Sequence, residues 1–220
     1  MTIAKPFKES NKMQNIDGTT ALTSESGTFY VDDKGIVQRF IPADDNPFVD
    51  EEIEVTSNYT YKTYKSIRTF IVSQGVKGFV SAFMRSTRVL ERFELPDGLL
   101  SLGNNSFDFN TACNGVFADC ILPTVVIPES VKEIGDFAFG KSHIDCLQLP
   151  KTLHSPIGRQ FCDSFIGTLR LPKEWEHGVS LGEDGKLEFS GCLCDNEQYG
   201  YLRWPGTRVG SLEFFDKKEL

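Results

Sequence analysis

Cysteine and histidine are the side chains of this sequence best suited to chemistry, because they bind metals and pair as nucleophile and base. The chain has six cysteines and three histidines. His143 and Cys146, together with His154 and Cys162, offer four donor atoms of the kind zinc prefers, but their spacing matches no familiar structural zinc site. No Cys-x-x-Cys pair occurs. We therefore predict reduced, mostly buried cysteines, and neither a metal site nor a cofactor.

A run of carboxylates at residues 44–54 is a second candidate, since closely spaced carboxylates are calcium ligands. The run contains Asp44, Asp45, Asp50, Glu51, Glu52 and Glu54. The Asp-x-Asp-x-Asp-Gly order of a calcium loop is absent, and so is a glycine-rich phosphate loop. We therefore predict a solvated acidic loop. Since no catalytic constellation is left, the sequence indicates that the protein is not an enzyme.

Charge and hydropathy narrow the function classes further. The 220 residues carry 23 Lys and Arg against 31 Asp and Glu, which gives a formal net charge of −8. Nucleic-acid binding and a polybasic grip on anionic lipid both need the opposite sign, so neither is expected. No stretch approaches the roughly 20 apolar residues of a membrane span, so membrane insertion is not expected. The sequence as written shows no signal peptide, which leaves the localisation unknown, with the cytoplasm as the default.

The elements that would position a site come from an internal repeat. Apolar segments end at Pro128, Pro150 and Pro172, which are 22 residues apart, and an earlier copy ends at Pro96. A phenylalanine stands 11 residues before each of Pro128, Pro150 and Pro172, and a small residue stands three residues after each phenylalanine. The two columns are Phe117, Phe139 and Phe161, and Cys120, Ser142 and Ser164.

Such a repeat predicts stacked units. A strand of the pattern apolar-x-apolar cannot bury its own face, so successive copies should form a parallel sheet with one continuous core. The phenylalanine column should form a spine between the stacked units. The apolar spacing of the return segment at 131–139 favours a short helix or helical turn.

The repeat resembles a known family. Residues 127–139, Ile-Pro-Glu-Ser-Val-Lys-Glu-Ile-Gly-Asp-Phe-Ala-Phe, look like the BspA-like (Treponema-type) leucine-rich repeat. The resemblance implies an α/β leucine-rich-repeat solenoid, with short parallel strands on the concave face, helical turns on the convex face and β-rich caps at both ends. It also implies a binding role, often on bacterial cell surfaces, without catalytic residues.

The repeat and the residues that flank it divide the chain into four predicted segments. These are a loose N-terminal segment at 1–27, a β-hairpin cap at 28–65, the repeats at 66–180, and a C-terminal cap or degenerate repeats at 181–220. An asparagine-rich insertion at 104–116 is either a tolerated surface loop or part of a binding surface.

The middle residue of each predicted strand should point away from the core and form the binding face. These residues are Ile71, Glu94, Val126, Gln148 and Arg170, with Arg92, Thr124, Cys146 and Thr168 in a parallel row. Our hypothesis is a non-catalytic binding module that recognises a protein or glycan partner through the concave face. The alternative is an intracellular enzyme or regulator with its site in the non-repeat flanks, 28–65 or 181–220.

Overall fold

The computed structural model describes residues 18–46, 50–56, 59–64, 66–79, 83–84, 87–103, 115–153, 159–189, 204 and 206–216. These residues form short strands joined by turns, with one 3₁₀ helix at Lys173–Trp175. No helix within these ranges has the length and apolar content that a bilayer crossing requires. Most of the predicted insertion at 104–116 lies outside the described residues, as do His154 and three of the six cysteines.

An antiparallel meander stands at the N-terminal end of the described chain. It consists of β1 (Thr20–Ser24), β2 (Gly27–Val31) and β3 (Ile36–Pro42). The predicted hairpin is confirmed as β2 and β3, and Gly35 supplies the positive φ, 81°, of its turn. The prediction of a loose segment as far as residue 27 is wrong for β1, because β1 pairs with β2 and buries Leu22 in the core.

The acidic run continues into a second hairpin, formed by β4 (Asp50–Thr56) and β5 (Tyr59–Tyr64). Four of the six acidic residues lie on β4, so the prediction of an acidic loop is wrong for residues 50–54. The register places Glu52 opposite Lys62. The partner strand β5 consists mainly of tyrosine and threonine, residue types that favour strands, and this pairing outweighs the weak strand propensity of the carboxylates.

The remaining strands are short and follow the repeat. In chain order they are β6 (Thr69–Ile71), β7 (Gly78–Phe79), β8 (Arg92–Glu94), β9 (Ser101–Leu102), β10 (Ile121–Val126), β11 (Glu133–Ile134), β12 (His143–Gln148), β13 (Phe165–Pro172), β14 (Val179–Leu181), β15 (Leu187–Phe189) and β16 (Arg208–Phe215).

Parallel pairing joins most of these strands, as the repeat predicts. The largest sheet has the order β10-β12-β13-β16, and β6 pairs with β8 in the same orientation. In this sheet Ile121 lies beside His143, and His143 lies beside Phe165, so neighbouring residues are 22 positions apart. A second parallel set contains the pairs β3 with β7 and β9 with β11, while β14 and β15 form an antiparallel hairpin.

A phenylalanine spine runs through the core, as predicted. Phe117 stacks on Phe139 with 5.4 Å between ring centroids, and Phe139 stacks on Phe161 at 5.2 Å. Trp204 continues the column, with its ring 4.5 Å from that of Phe161. All four rings are buried, so each unit contributes a large apolar side chain to one continuous core.

The serines in the column of small residues form hydrogen bonds between units, a role that their small size alone does not indicate. The buried Ser142 hydroxyl donates to the carbonyl oxygen of Phe117 at 2.7 Å and accepts from the amide of Cys120 at 3.1 Å. Ser164 repeats this arrangement, with Phe139 at 2.6 Å and the amide of Ser142 at 3.2 Å. Each hydroxyl therefore bonds one carbonyl group and one amide group of the preceding unit and links that unit to its own.

The return segments are turns, so the predicted helical turns are wrong for the described segment at 135–142. Phe137, Phe139 and Lys141 donate their amides to carbonyl oxygens of the next unit, at 2.8–2.9 Å, rather than four residues back along the chain. Phe137 and Lys141 also have positive φ values of 56° and 59°. An α-helix needs continuous bonds to the fourth residue back and negative φ throughout, whereas Ala138, Gly140 and Ser142 bond three residues back and φ is positive at two positions.

Buried side chains close the outer edge of β6. The Asn46 amide group donates to the carbonyl oxygen of Thr69 at 2.6 Å and accepts from the Thr69 amide at 3.2 Å. The Ser26 hydroxyl does the same for Ile71, donating at 2.9 Å and accepting at 3.0 Å. These side chains occupy the place of a preceding strand, so the backbone of the first repeat strand is satisfied without one.

Candidate functional site

The candidate site is the outward face of the sheet β10-β12-β13-β16. Its register aligns equivalent residues of the four strands into rows that cross the strands, with neighbouring strands roughly 4.8 Å apart. The upstream row is Ile121, His143, Phe165 and Arg208. The middle row is Thr124, Cys146, Thr168 and Ser211. The downstream row is Val126, Gln148, Arg170 and Glu213.

The upstream row is the most apolar part of this face. Ile121 and Phe165 keep 42% and 41% of their surface exposed, and His143 between them is also exposed. The imidazole of His143 packs on the Phe165 ring with 4.9 Å between centroids. The His143 Nε2 atom lies 3.4 Å from Oδ1 of Asp145. The row therefore combines exposed apolar surface with one polar pair.

The downstream row differs from the sequence expectation at one position. Val126 is 42% exposed, as an outward residue should be, but Gln148 is only 3% exposed. Arg170 on the next strand donates from Nη1 to Oε1 of Gln148 at 2.9 Å, and its Nε lies 3.3 Å from Oε2 of Glu213. The prediction that Gln148 is an accessible binding residue is wrong, because its amide is packed against the half-buried Arg170.

The other two predicted residues lie on the neighbouring pair of strands. Ile71 on β6 pairs with Glu94 on β8; Ile71 is half-buried and Glu94 is exposed. Arg92 donates to Glu94 at 3.0 Å and to Glu25 at 2.6 Å. The hydrogen bonds to Glu94 and then Glu25 raise the pKa of Arg92, so this guanidinium stays charged within an acidic pair.

The middle row does not offer an activated nucleophile. The Thr168 and Ser211 hydroxyls are 3.1 Å apart and bond to each other. Burial raises the pKa of the Cys146 thiol, so the thiol is protonated at neutral pH and a weak nucleophile. The described cysteines, Cys120, Cys146 and Cys162, are free thiols. Among the residues with described positions, no group of three or more His, Cys, Asp or Glu side chains could hold a metal ion.

The repeat is similar to that of a known protein family. The family model for the BspA type leucine rich repeat region matches residues 45–114 and 110–178 with six copies, which is well over half of the 220 residues. The chain belongs to this BspA-type leucine-rich-repeat family. The matched region begins at residue 45, before the first strand of the parallel ladder. No curated protein and no solved structure gives a significant match to the chain.

Sequence reasoning missed two features of this BspA-type sheet. The first is the upstream row, because Ile121 and Phe165 look like core residues by their type and only the register shows that they face outward. The second is β16 as the fourth parallel strand, although Val209 and Leu212 match Ile166 and Leu169 in register. The available signal was the similarity of Ile-Gly-Thr-Leu at 166–169 to Val-Gly-Ser-Leu at 209–212.

Proposed function

We propose that this protein is a non-catalytic binding module that recognises a partner through the outward face of its parallel strands. The finer architecture belongs to the same proposal: the repeats form a curved solenoid, this face is concave, and the flanking strands act as caps. The observation that carries the proposal is the register of the sheet, which aligns Ile121, His143 and Phe165 into an exposed row across consecutive repeats.

A protein partner fits this face better than a glycan. Large aliphatic and aromatic side chains contribute binding free energy when they fill apolar pockets of a partner and lose their water. Ile121, Val126 and Phe165 each expose about two fifths of their surface and stand on rigid strands, so little side-chain order is lost on binding. Arg170 and Glu213, at the margin of the face, supply polar contacts typical of an interface rim.

The test is a comparison of variants in quantitative capture of proteins from lysate and envelope fractions of source cells. Replacing both Ile121 and Phe165 by alanine should reduce capture of a specific partner at least about tenfold, because two anchor residues are removed. The replacements should leave thermal stability nearly unchanged, since both side chains are partly exposed.

A matched control is available at Leu100, which is 47% exposed and precedes β9, outside the candidate face. Leu100→Ala removes about as much exposed apolar surface as either single replacement, Ile121→Ala or Phe165→Ala, and should leave capture unchanged. Equal loss in the double variant and the control would mean nonspecific adhesion, and unchanged capture in both would place the binding surface elsewhere.

A further inference from the structure

The outer strands of the two parallel sheets, β6 and β16, differ in how their free edges are satisfied. At the N-terminal end, Asn46 and Ser26 satisfy the outer edge of β6 with side-chain hydrogen bonds. At the other end, β16 is the last strand of its sheet in the part of the chain that the structure describes. The turn of the β14–β15 hairpin meets its first residues, where Val209 donates its amide to the carbonyl oxygen of Gly185 at 2.8 Å.

Two apolar side chains of β16 are less buried than their counterparts on the interior strands. Leu212 and Phe214 pack against the core but are only half-buried. Interior strands bury the residues at the same two repeat positions almost completely, because a following strand covers them. Those interior residues, each at most 2% exposed, are Leu147, Leu149, Leu169 and Leu171. The exposed part of Leu212 and Phe214 is therefore the surface that one more parallel strand would cover.

Backbone amide groups of β16 also point to the outer edge of the sheet. Ile127 and Leu149 stand at the same repeat position as Phe214. The Ile127 amide donates to the carbonyl oxygen of Gln148 on the following strand, and the Leu149 amide donates to that of Arg170, both at 3.0 Å. By this register the Phe214 amide points to the outer edge of the sheet, and alternation along the strand directs Leu212 to the same side. These main-chain groups can pair with an extended chain that lies parallel to β16.

The negative charge of Glu213 favours a basic residue in the segment that would bind to this edge of β16. In the downstream row, Gln148 lies beside Arg170 on the next strand, and Arg170 lies beside Glu213. The Glu213 side chain is more than half exposed, and its Oε2 atom is 3.3 Å from Arg170 Nε. A basic residue on an added strand would meet this carboxylate from the open side.

We propose that the outer edge of β16, at Leu212–Phe214, binds an extended segment of a partner protein by adding it to the sheet as a parallel strand. The bound segment has a basic residue between two apolar residues, which lie beside Glu213, Leu212 and Phe214. The edge shares only Glu213 with the outward face, and it contains neither Ile121 nor Phe165, so the Ile121 and Phe165 replacements test the outward face separately.

The probe is an acetylated and amidated hexapeptide, Gly-Thr-Leu-Arg-Leu-Pro, whose sequence equals residues 167–172. Titration into the full-length, isotope-labelled protein should give saturable shifts of the Leu212 and Phe214 amide signals. These two amides should exchange rapidly with solvent in the free protein and become protected with peptide. A peptide with Glu in place of Arg should bind about fivefold more weakly, because an attraction becomes a repulsion.

Charge-reversal variants separate this edge from other surfaces. Glu213→Lys should reverse the preference between the two peptides. Glu94→Lys, which changes an acidic residue at the same repeat position on β8 of the other parallel sheet, should leave the preference unchanged. The proposal is overturned if millimolar peptide produces no saturation, if the charge variants bind equally, or if the shifts map to β6. It is also overturned if the Leu212 and Phe214 amides are already protected without peptide, since the edge would then be covered within the chain.

Discussion

Replacing Ser142 by alanine tests whether the column of hydroxyls holds the units together. The Ser142 hydroxyl bridges the carbonyl oxygen of Phe117 and the amide of Cys120, and the side chain is only 2% exposed. Alanine leaves both backbone groups in the core without this partner. A buried polar group that loses its hydrogen bond costs about 1–3 kcal/mol, so the expected loss of unfolding free energy is about 3 kcal/mol.

The chain itself supplies the matched control. Cys120 stands at the same repeat position, and its thiol donates to the carbonyl oxygen of Met84 at 2.9 Å. Ser142→Cys therefore keeps a weak donor and acceptor of similar size, and it should cost clearly less than Ser142→Ala.

Equilibrium urea unfolding, followed by circular dichroism, measures both variants against the native chain. The slope of free energy against urea should stay constant, because neither change alters the surface exposed on unfolding. Equal free energies for the alanine and cysteine variants would refute the reasoning, since small size rather than hydrogen bonding would then explain why small side chains recur at this repeat position. A loss below about 0.5 kcal/mol for alanine would refute it as well.

Two further predictions concern the N-terminal edge and the middle row. Asn46→Ala removes the side chain that pairs with both the amide and the carbonyl of Thr69, so unfolding free energy should fall by about 3 kcal/mol, whereas Asp45→Ala at the exposed neighbour should change it little. An equal effect of the two changes in urea unfolding would count against side-chain closure of β6. Alkylation of Cys146 by iodoacetamide should be slower at pH 8 than that of an unhindered model thiol and should accelerate as pH rises, because burial raises the thiol pKa and lowers the thiolate fraction. Mass spectrometry of the modified peptide measures this rate, and a rate equal to that of the model thiol would contradict the assigned environment.

The repeat units could be read from the sequence because each position recurs under the same physical demand. Phe117, Phe139 and Phe161 fill the same space in successive units, and Pro128, Pro150 and Pro172 recur at the same interval after the strands begin. A 22-residue period in several columns therefore determined the parallel pairing, the core spine and the family to which the chain belongs.

The form of the return segments depended on contacts between units. The apolar spacing at 131–139 resembles that of a helix, but the amides of Phe137 and Phe139 pair with the next unit instead of the same segment. Sequence periodicity reports which side chains are buried, and it does not report which carbonyl each amide reaches. Only the stacking of the units could decide between a helical turn and a series of tight turns.

The sequence likewise predicted one part of the candidate site, and the tertiary structure decided the rest. The alternation of apolar residues determined which strand positions face outward, and this was correct for Glu94 and Val126. Whether an outward residue is accessible depends on its neighbours across the sheet: Arg170 packs against Gln148, while Ile121 and Phe165 are left exposed. Those neighbours are 22 residues apart in the chain and about 4.8 Å apart in the sheet, so the tertiary structure, and not the local sequence, decides which side chains a partner can reach.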